Sequence, residues 1–195
     1  TAYEIMPSLV GSEMCIRDRC RDTARVVLLV AFPCTGGCFF NVSINSHNPK
    51  CAKRLAEHKV LFSKLWRNFE RLLHKYGPIP TILEWPTGCA YWKNLRVQRL
   101  LNRFKLSRTD FHGCQYGLKS IKEDREHMFL KKPWTFATNI EEVKPLFKRL
   151  CHGTTRDHVH DATSGENAIA SQFYTPEIVQ LIHIAIYRHF YGTQK

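Results

Sequence analysis

Residues 26–37 read VVLLVAFPCTGG, an apolar run that leads into a Pro-Cys turn with two glycines. A continuous apolar run is typical of a strand buried on both faces, as in a parallel sheet. Further on, Asn48 and Pro49 are the residue types that cap and open a helix, and Gly77 with Pro78 ends the helical spacing. We therefore predict a strand over residues 25–32, a loop that contains Cys34, and a long helix.

The rest of the chain repeats this alternation of strand and helix. The patterns predict strands at residues 79–85, 109–114 and 133–138 and helices at residues 95–104, 141–150 and 176–190. Such alternation favours right-handed βαβ units and a parallel sheet. We predict a single α/β domain over residues 20–195, with a Rossmann-like parallel or mixed sheet flanked by helices. Ligands of such sheets bind beyond the carboxyl ends of the strands.

Residues 1–19 differ in character from the rest of the chain. Residues 9–18, LVGSEMCIRD, can be back-translated into a match to the transposase end sequence of tagmentation sequencing libraries. Residues 1–5, TAYEI, can be written as the tail of the flow-cell adapter that precedes that sequence. We interpret residues 1–19 as a translated adapter, unstructured and without a part in the core, and we exclude them from fold reasoning. On this interpretation the chain is an N-terminally truncated fragment, the C-terminal part of a larger protein.

The chain is strongly basic. It carries 29 Lys and Arg against 17 Asp and Glu, and 27 against 14 remain when residues 1–19 are set aside. This excess favours a polyanionic partner, and we expect nucleic acid, DNA before RNA, rather than a membrane. The sequence shows no apolar run of about 20 residues and no secretory signal. An odd number of cysteines remains without Cys15, which favours a reducing, intracellular location, cytoplasmic or nuclear, over secretion.

Two chemically distinctive loops follow the first two predicted strands. FPCTGG, residues 32–37, places Cys34 after the first strand, and LEWP, residues 83–86, places Glu84 at the end of the second. A thiol in a glycine-rich turn that leads to a helix can act as a nucleophile, although a small buried thiol in a tight turn is the alternative. A Pro-Cys loop followed by a Glu loop, in this order, resembles the catalytic half of the DNA cytosine-5 methyltransferases.

The resemblance covers residues 25–138 and implies a role for each loop. Cys34 would add to carbon six of a flipped-out cytosine, Glu84 would contact ring nitrogen three, and S-adenosylmethionine would give its methyl group to carbon five. The Gly-rich loop for this cofactor would lie before Cys20. We therefore expect a DNA-modifying, methyltransferase-like domain that is inactive in methyl transfer as this fragment.

The chain also departs from that family. TGG follows the cysteine where members have Gln-Phe-Ser, WP follows the glutamate where they have Asn-Val, and a Gln-x-Arg-x-Arg signature is missing. A second likeness, to uncharacterised proteins of phage and mobile elements, rests on EWP, CQYGL, KKPW and ATN. It names no activity.

A group of cysteines and histidines has the composition of a zinc site. Zinc takes four nitrogen or sulfur ligands in a tetrahedron. The candidates are Cys114 at the end of a predicted strand and, in a later loop, Cys151, His158 and His160. The alternative is a polar loop whose histidines are solvated.

Cations alternate with aromatic residues in two places, a pattern that suits single-stranded or flipped-out nucleic acid. The candidate contacts are Trp92, Lys93, Lys131, Lys132 and Trp134. For the tryptophans, packing in the core is the alternative.

At the level of the whole protein we consider two alternative functions and an inactive fragment: a non-catalytic nucleic-acid-binding protein of a phage or mobile element, and a zinc-stabilised nuclease that uses Asp110, Asp157 and Asp161.

Overall fold

A computed structural model describes residues 25–38, 42 and 47–192. The predicted adapter at residues 1–19 lies outside the described residues. The strands are β1 (Leu28–Val30), β2 (Thr81–Pro86), β3 (Ser107–His112), β4 (Phe129–Leu130), β5 (Pro133–Thr138) and β6 (His160–Asp161). Four of them form a mixed sheet in the order β1-β2-β5-β3, while β4 and β6 form a separate parallel pair.

Five α-helices accompany the strands in the described part. They are α1 (Pro49–Tyr76), α2 (Leu95–Arg103), α3 (Val143–Leu146), α4 (Glu166–Ala170) and α5 (Pro176–Tyr191). Short 3-10 turns lie at Thr35–Gly37, Ala90–Lys93 and Gly113–Tyr116. The predicted α/β class, with a mixed sheet flanked by helices in a Rossmann-like arrangement, is confirmed. No helix of the described ranges combines the length and the apolar character that crossing a membrane requires.

The directions of the strands bring three carboxyl ends to one side of the sheet. β1 is parallel to β2, and β5 runs antiparallel to both β2 and β3. Therefore β1, β2 and β3 all point the same way, as the alternation of strand and helix predicts, and the start of β5 lies beside their ends. We call this side the carboxyl edge.

Two hydrophobic cores cover the two faces of the sheet. On one face Leu83 and Trp85 pack with residues of α1 and α2, including Trp66 and Val97. On the other face Ile82 packs with residues that include Ile178 of α5. The alternation of side chains along β2 thus sends Glu84 to the same face as Ile82.

The predicted helix starts are confirmed at α1 and α5. The side chain of Asn48 accepts hydrogen bonds from the backbone nitrogens of Lys50 and Cys51, at 3.0 and 3.4 Å. The Thr175 side chain caps α5 by accepting from the nitrogen of Ile178 at 3.3 Å. In both helices the proline at the first position has no amide hydrogen to leave unsatisfied.

The predicted helix at residues 141–150 is mostly wrong, because only Val143–Leu146 is helical. Tertiary hydrogen bonds replace the helical ones beyond that point. The Tyr116 hydroxyl donates to the carbonyl of Leu146 at 2.9 Å, and the Thr109 hydroxyl donates to the carbonyl of Phe147. These carbonyls would have accepted from the next turn, so the helix ends there.

Candidate functional site

Cys34 and Glu84 both lie at the carboxyl edge, as the sequence predicts. Cys34 follows β1 and Glu84 lies near the end of β2, and both side chains are half-buried. The two groups interact electrostatically. Burial is the main cause that raises the pKa of Cys34, and the charge of Glu84 raises it further. Lys132 opposes both effects.

Trp85 anchors the start of the loop that carries Cys34. The indole nitrogen of Trp85 donates to the carbonyl of Phe32 at 3.0 Å, and the Trp85 side chain is fully buried. After Cys34 the chain turns at once, because the nitrogen of Gly37 donates to the carbonyl of Cys34 at 2.8 Å. The end of β2 thereby fixes the position of the thiol loop.

The turn after Cys34 requires glycine because it packs directly on Tyr91. A Cβ atom added to Gly36 would lie 2.1 Å from the Tyr91 hydroxyl oxygen, and one added to Gly37 would lie 2.8 Å from the sulfur of Cys89. Tyr91 is itself held by Phe62 of α1, whose ring stacks on it with centroids 3.7 Å apart. The two glycines predicted to form a loop therefore serve close packing.

Glu84 is the most strongly perturbed acid of this edge. Burial raises its pKa to about 7, although Lys132 and Tyr174 both act to lower it. A carboxyl group with this pKa holds its proton in a large fraction of molecules near neutral pH. Glu84 can therefore donate a hydrogen bond where an ordinary glutamate could only accept one.

Tyr174 faces Glu84 from the segment that precedes α5. Its hydroxyl is buried and makes no hydrogen bond of ordinary length within the described ranges. It nevertheless interacts with the Glu84 carboxylate, and burial together with that charge raises the pKa of Tyr174. The tyrosine therefore forms a polar side of the site next to Glu84.

Lys132 belongs to the same site. Its ammonium group donates to the carbonyl of Ser171, and also to the Ser171 hydroxyl at 3.3 Å. It lies over the ring of Trp134 at 4.9 Å. Burial lowers the pKa of Lys132, while Glu84 and Cys34 raise it. The carboxyl edge thus brings together a thiol, a carboxyl group, a phenol and an amine.

The four predicted metal ligands also come together, at the end of β3. Cys114, Cys151, His158 and His160 each offer one ligand atom, and these atoms all lie within 4.8 Å of one another. The Cys151 sulfur lies 3.4 Å from Nε2 of His160. Two thiols and two imidazoles in such a group could hold a metal ion.

Neighbouring contacts orient the ligands of this Cys/His group. Nδ1 of His160 pairs with the Thr154 hydroxyl at 3.2 Å, which leaves Nε2 for the side of Cys151. The His158 ring stacks on Phe129, with centroids 4.4 Å apart. Backbone hydrogen bonds between Thr155 and His158 close the turn that carries His158.

The Cys/His group is accessible from solvent on one side. A pocket of about 240 Å³ opens beside Cys151 and His158. Burial, with a smaller effect of Cys151, raises the pKa of Cys114 to about 12. A metal ion would displace this proton, since thiols bind metals as thiolates.

The residues predicted to contact nucleic acid have different environments. Trp92 and Trp134 are 3% and 2% exposed, and the Trp92 nitrogen donates to the carbonyl of Pro86 at 3.0 Å. Neither ring has a face free for a base, so the structure does not favour their stacking role. Lys93 and Lys131 are exposed. Lys132 is half-buried beside Glu84.

The three carboxylates considered for a nuclease are held in separate places. Asp110 accepts from Thr135 at 2.5 Å on the sheet, and Asp157 lies in the turn between Thr155 and His158. Asp161 is buried and is bound by Arg125 at 3.0 Å. Their surroundings do not favour a shared catalytic cleft.

The chain has no match among family models, curated proteins or solved structures. The site is therefore interpreted from its own residues. Sequence reasoning missed Ser171 and Tyr174, which come from a segment far along the chain. It assigned Lys132 to nucleic acid but not to the Cys34–Glu84 pair.

Proposed function

We propose that this chain is a DNA-modifying, methyltransferase-like domain that acts on cytosine, with Cys34 as nucleophile. The observation that supports it is the pair of Cys34 and Glu84 at one edge of the sheet, with a Glu84 pKa of about 7. A nucleophile that attacks a pyrimidine ring needs a partner that gives a proton to the ring nitrogen as charge develops there. Glu84 has the pKa for that role.

The chemical step needs only residues of the chain, the base and water. The Cys34 thiol loses its proton to solvent, and its sulfur forms a bond to carbon six while Glu84 gives a proton to ring nitrogen three. Carbon five then takes a proton from solvent. Loss of the original hydrogen from carbon five, return of the nitrogen proton to Glu84 and departure of the sulfur restore the base. The charge of Lys132 favours the thiolate, although burial keeps the pKa of Cys34 above its ordinary value.

S-adenosylmethionine is the methyl donor that this proposal implies. Its methyl group would replace the hydrogen at carbon five. Addition of the thiol and proton transfer by Glu84 proceed without the donor.

We further propose that the Cys/His group binds zinc with a structural role. Four protein ligands complete a zinc tetrahedron, whereas catalytic zinc keeps a position for water. His160 lies in β6 and Cys114 follows β3, so one ion would join the small β4–β6 pair to the end of the main sheet.

The exchange of hydrogen at carbon five of cytosine tests the proposed chemistry. The chain is incubated with a cytosine-containing DNA oligonucleotide in deuterium oxide, and deuterium at carbon five is measured by mass spectrometry. We expect exchange with the wild type, loss of exchange with Cys34→Ser and at least a hundredfold slower exchange with Glu84→Gln. Cys51→Ser, which removes another half-buried thiol, should exchange at the wild-type rate. Exchange that survives Cys34→Ser would overturn the proposal.

Non-catalytic binding of nucleic acid is the second candidate. It is favoured by the charge of the chain and by the raised pKa of Cys34, which keeps the thiol protonated at rest. Absence of exchange in the wild type, together with binding of DNA, would select it.

A further inference from the structure

The positive charge of the chain is concentrated in one part of the fold. Together α1 and α2 carry eleven Lys and Arg and two acids, Glu57 and Glu70. Residues 110–192 carry ten residues of each sign. The basic excess therefore belongs to the layer formed by α1 and α2, and the opposite half is balanced.

Helical spacing arranges these cations in rows. Lys64, Arg67, Arg71 and Lys75 follow one another at three and four residues along α1, and all are exposed. The row spans about 16 Å, from a rise of 1.5 Å per residue. In α2 the same spacing places a second row, Arg96, Arg99 and Arg103, on the exposed side.

The two helices contact each other and both pack their buried sides into the same core, so the two rows lie on the outer side of one layer. Arg96 of α2 forms an ion pair with Glu70 of α1. Further along, the rings of His74 and Phe104 meet edge to face with centroids 5.5 Å apart. We call the face formed by the two rows the α1–α2 face.

Most cations of this face have no acidic partner. In the described ranges, Arg96 with Glu70 is the one ion pair that joins a cation of either row to an acid. Lys75 and Arg103 contact the neighbouring rings of Tyr76 and Phe104, and these contacts leave their charges uncompensated. Such a face repels itself unless it has a polyanionic partner or a counterion atmosphere.

The aromatic residues decide which kind of nucleic acid fits. In residues 58–109 Tyr76 is the one aromatic residue that is largely exposed, and the others are buried or half-buried. Single strands are bound by stacking of bases on exposed rings, whereas duplex DNA presents a regular array of phosphates to cations. The α1–α2 face thus offers many cations and few surfaces for stacking.

We propose that the α1–α2 face binds the phosphate backbone of duplex DNA. This inference rests on the proposed function for the identity of its partner, and it adds a binding surface away from the carboxyl edge. Contacts to phosphates position a protein on the duplex without reading its sequence.

Binding of a fluorescein-labelled 20-base-pair duplex, measured by anisotropy between 50 and 200 mM salt, tests the inference. The variant Lys64→Gln, Arg67→Gln, Arg71→Gln removes three cations of the α1 row and keeps good helix formers. We expect its affinity to fall at least tenfold at 50 mM salt. Its slope of log affinity against log salt should become shallower by about two to three.

A matched variant removes the same charge from the balanced half. Lys148→Gln, Arg156→Gln, Arg188→Gln should bind within about twofold of wild type, and both variants should keep the wild-type melting temperature. Equal weakening by the two variants, or none by the first, would overturn the inference. So would a first variant that keeps DNA binding but loses binding to phosphatidylserine vesicles, because the face would then serve a membrane.

The two proposals fail in different ways. The first variant leaves the carboxyl edge intact, so hydrogen exchange at saturating DNA should match the wild type. If the wild-type protein catalyses no hydrogen exchange at carbon five, the catalytic proposal alone is contradicted. If the two variants weaken DNA binding equally, only the proposed role of the α1–α2 face is contradicted.

Discussion

The hydroxyl of Tyr174 interacts with the carboxylate of Glu84 at the carboxyl edge of the sheet. β2 supplies the acid and the segment before α5 supplies the phenol. Burial raises the pKa of both groups. Burial disfavours the charged form of each group, so each holds its proton at a higher pH than it would in solution. This property makes the stability of the protein sensitive to pH.

Glu84→Gln should change how stability depends on pH. The pKa of Glu84 is 4.5 when unperturbed and about 7 in the folded protein, so the folded state binds the proton more tightly. Stability should therefore fall as pH rises from 4.5 to 7, by up to about 3 kcal/mol. The glutamine variant should escape this loss and exceed the wild type in free energy of unfolding at pH 8. Urea denaturation at pH 5 and pH 8 measures it. The exposed Glu123→Gln serves as control, and parallel pH profiles for Glu84→Gln and wild type would contradict the prediction.

Zinc should bind the Cys/His group at about one equivalent and stabilise the fold. Addition of zinc to apo protein should raise the melting temperature, and a chelator should lower it, because binding to the folded state adds to folding free energy. Cys151→Ser and His158→Ala should lose both the bound metal and the rise in melting temperature on addition of zinc. His152→Ala, next to Cys151 but outside the group, should keep both. Metal content is measured by mass spectrometry of the purified chain. Equal melting temperatures with and without zinc would argue against a structural ion.

Gly36→Ala should destabilise the protein by about 1–3 kcal/mol. The added methyl group would lie 2.1 Å from the Tyr91 hydroxyl and 3.2 Å from the backbone nitrogen of Lys59. The tyrosine cannot move freely, because its ring stacks on Phe62. Gly88→Ala, which meets nothing within 4 Å, should be neutral within about 0.5 kcal/mol or slightly stabilising. Thermal denaturation compares the two, and equal stabilities would show that the turn is not tightly packed.

Asp161→Asn should lower the melting temperature by several degrees at pH 7. The Asp161 side chain is 3% exposed and accepts from Ser120 and Asn167, at 2.9 Å each, and from Arg125 at 3.0 Å. These donors hold the pKa of Asp161 well below its usual value. Its contribution to stability is therefore present above about pH 4 and is lost as the pH falls further.

The difference between wild type and Asp161→Asn should shrink accordingly in acid. Melting curves at pH 7 and pH 3 measure this change. Asp157→Asn, an exposed change of the same chemistry, should leave both curves unaltered. A constant difference between the Asp161 variant and wild type at both pH values would contradict an ionic role.

Local chemistry made part of this structure predictable. Asn48 with Pro49 and Thr175 with Pro176 start helices through interactions within a few residues, so the sequence carries the whole signal. The Cys/His group was predictable because zinc ligands belong to a short list of residue types. Placement of Cys34 and Glu84 at one edge followed from the common direction of successive strands in βαβ units.

Long-range pairing and burial were not predictable in this way. Nothing near residues 133–138 indicates that β5 runs antiparallel between β2 and β3, since that position depends on hydrogen bonds to strands far away in sequence. Trp92 and Trp134 lie next to cations in the sequence, yet their rings are buried in the hydrophobic core. No sequence motif marks Tyr174, and its position beside Glu84 results only from the packing of the segment before α5.

The position of β5 also sets an order of assembly. β2 and β3 have no hydrogen bonds to each other, and β5 joins them although it is made after both. A chain still on the ribosome that ends before Pro133 therefore has one open edge on β2 and no partner on either edge of β3, and open strand edges promote aggregation. We expect such nascent chains to be recognised by chaperones and the sheet to close only after Thr138 has emerged. The last strand of the main sheet to be synthesised is thus the one that joins the β1–β2 pair and β3 into a single sheet.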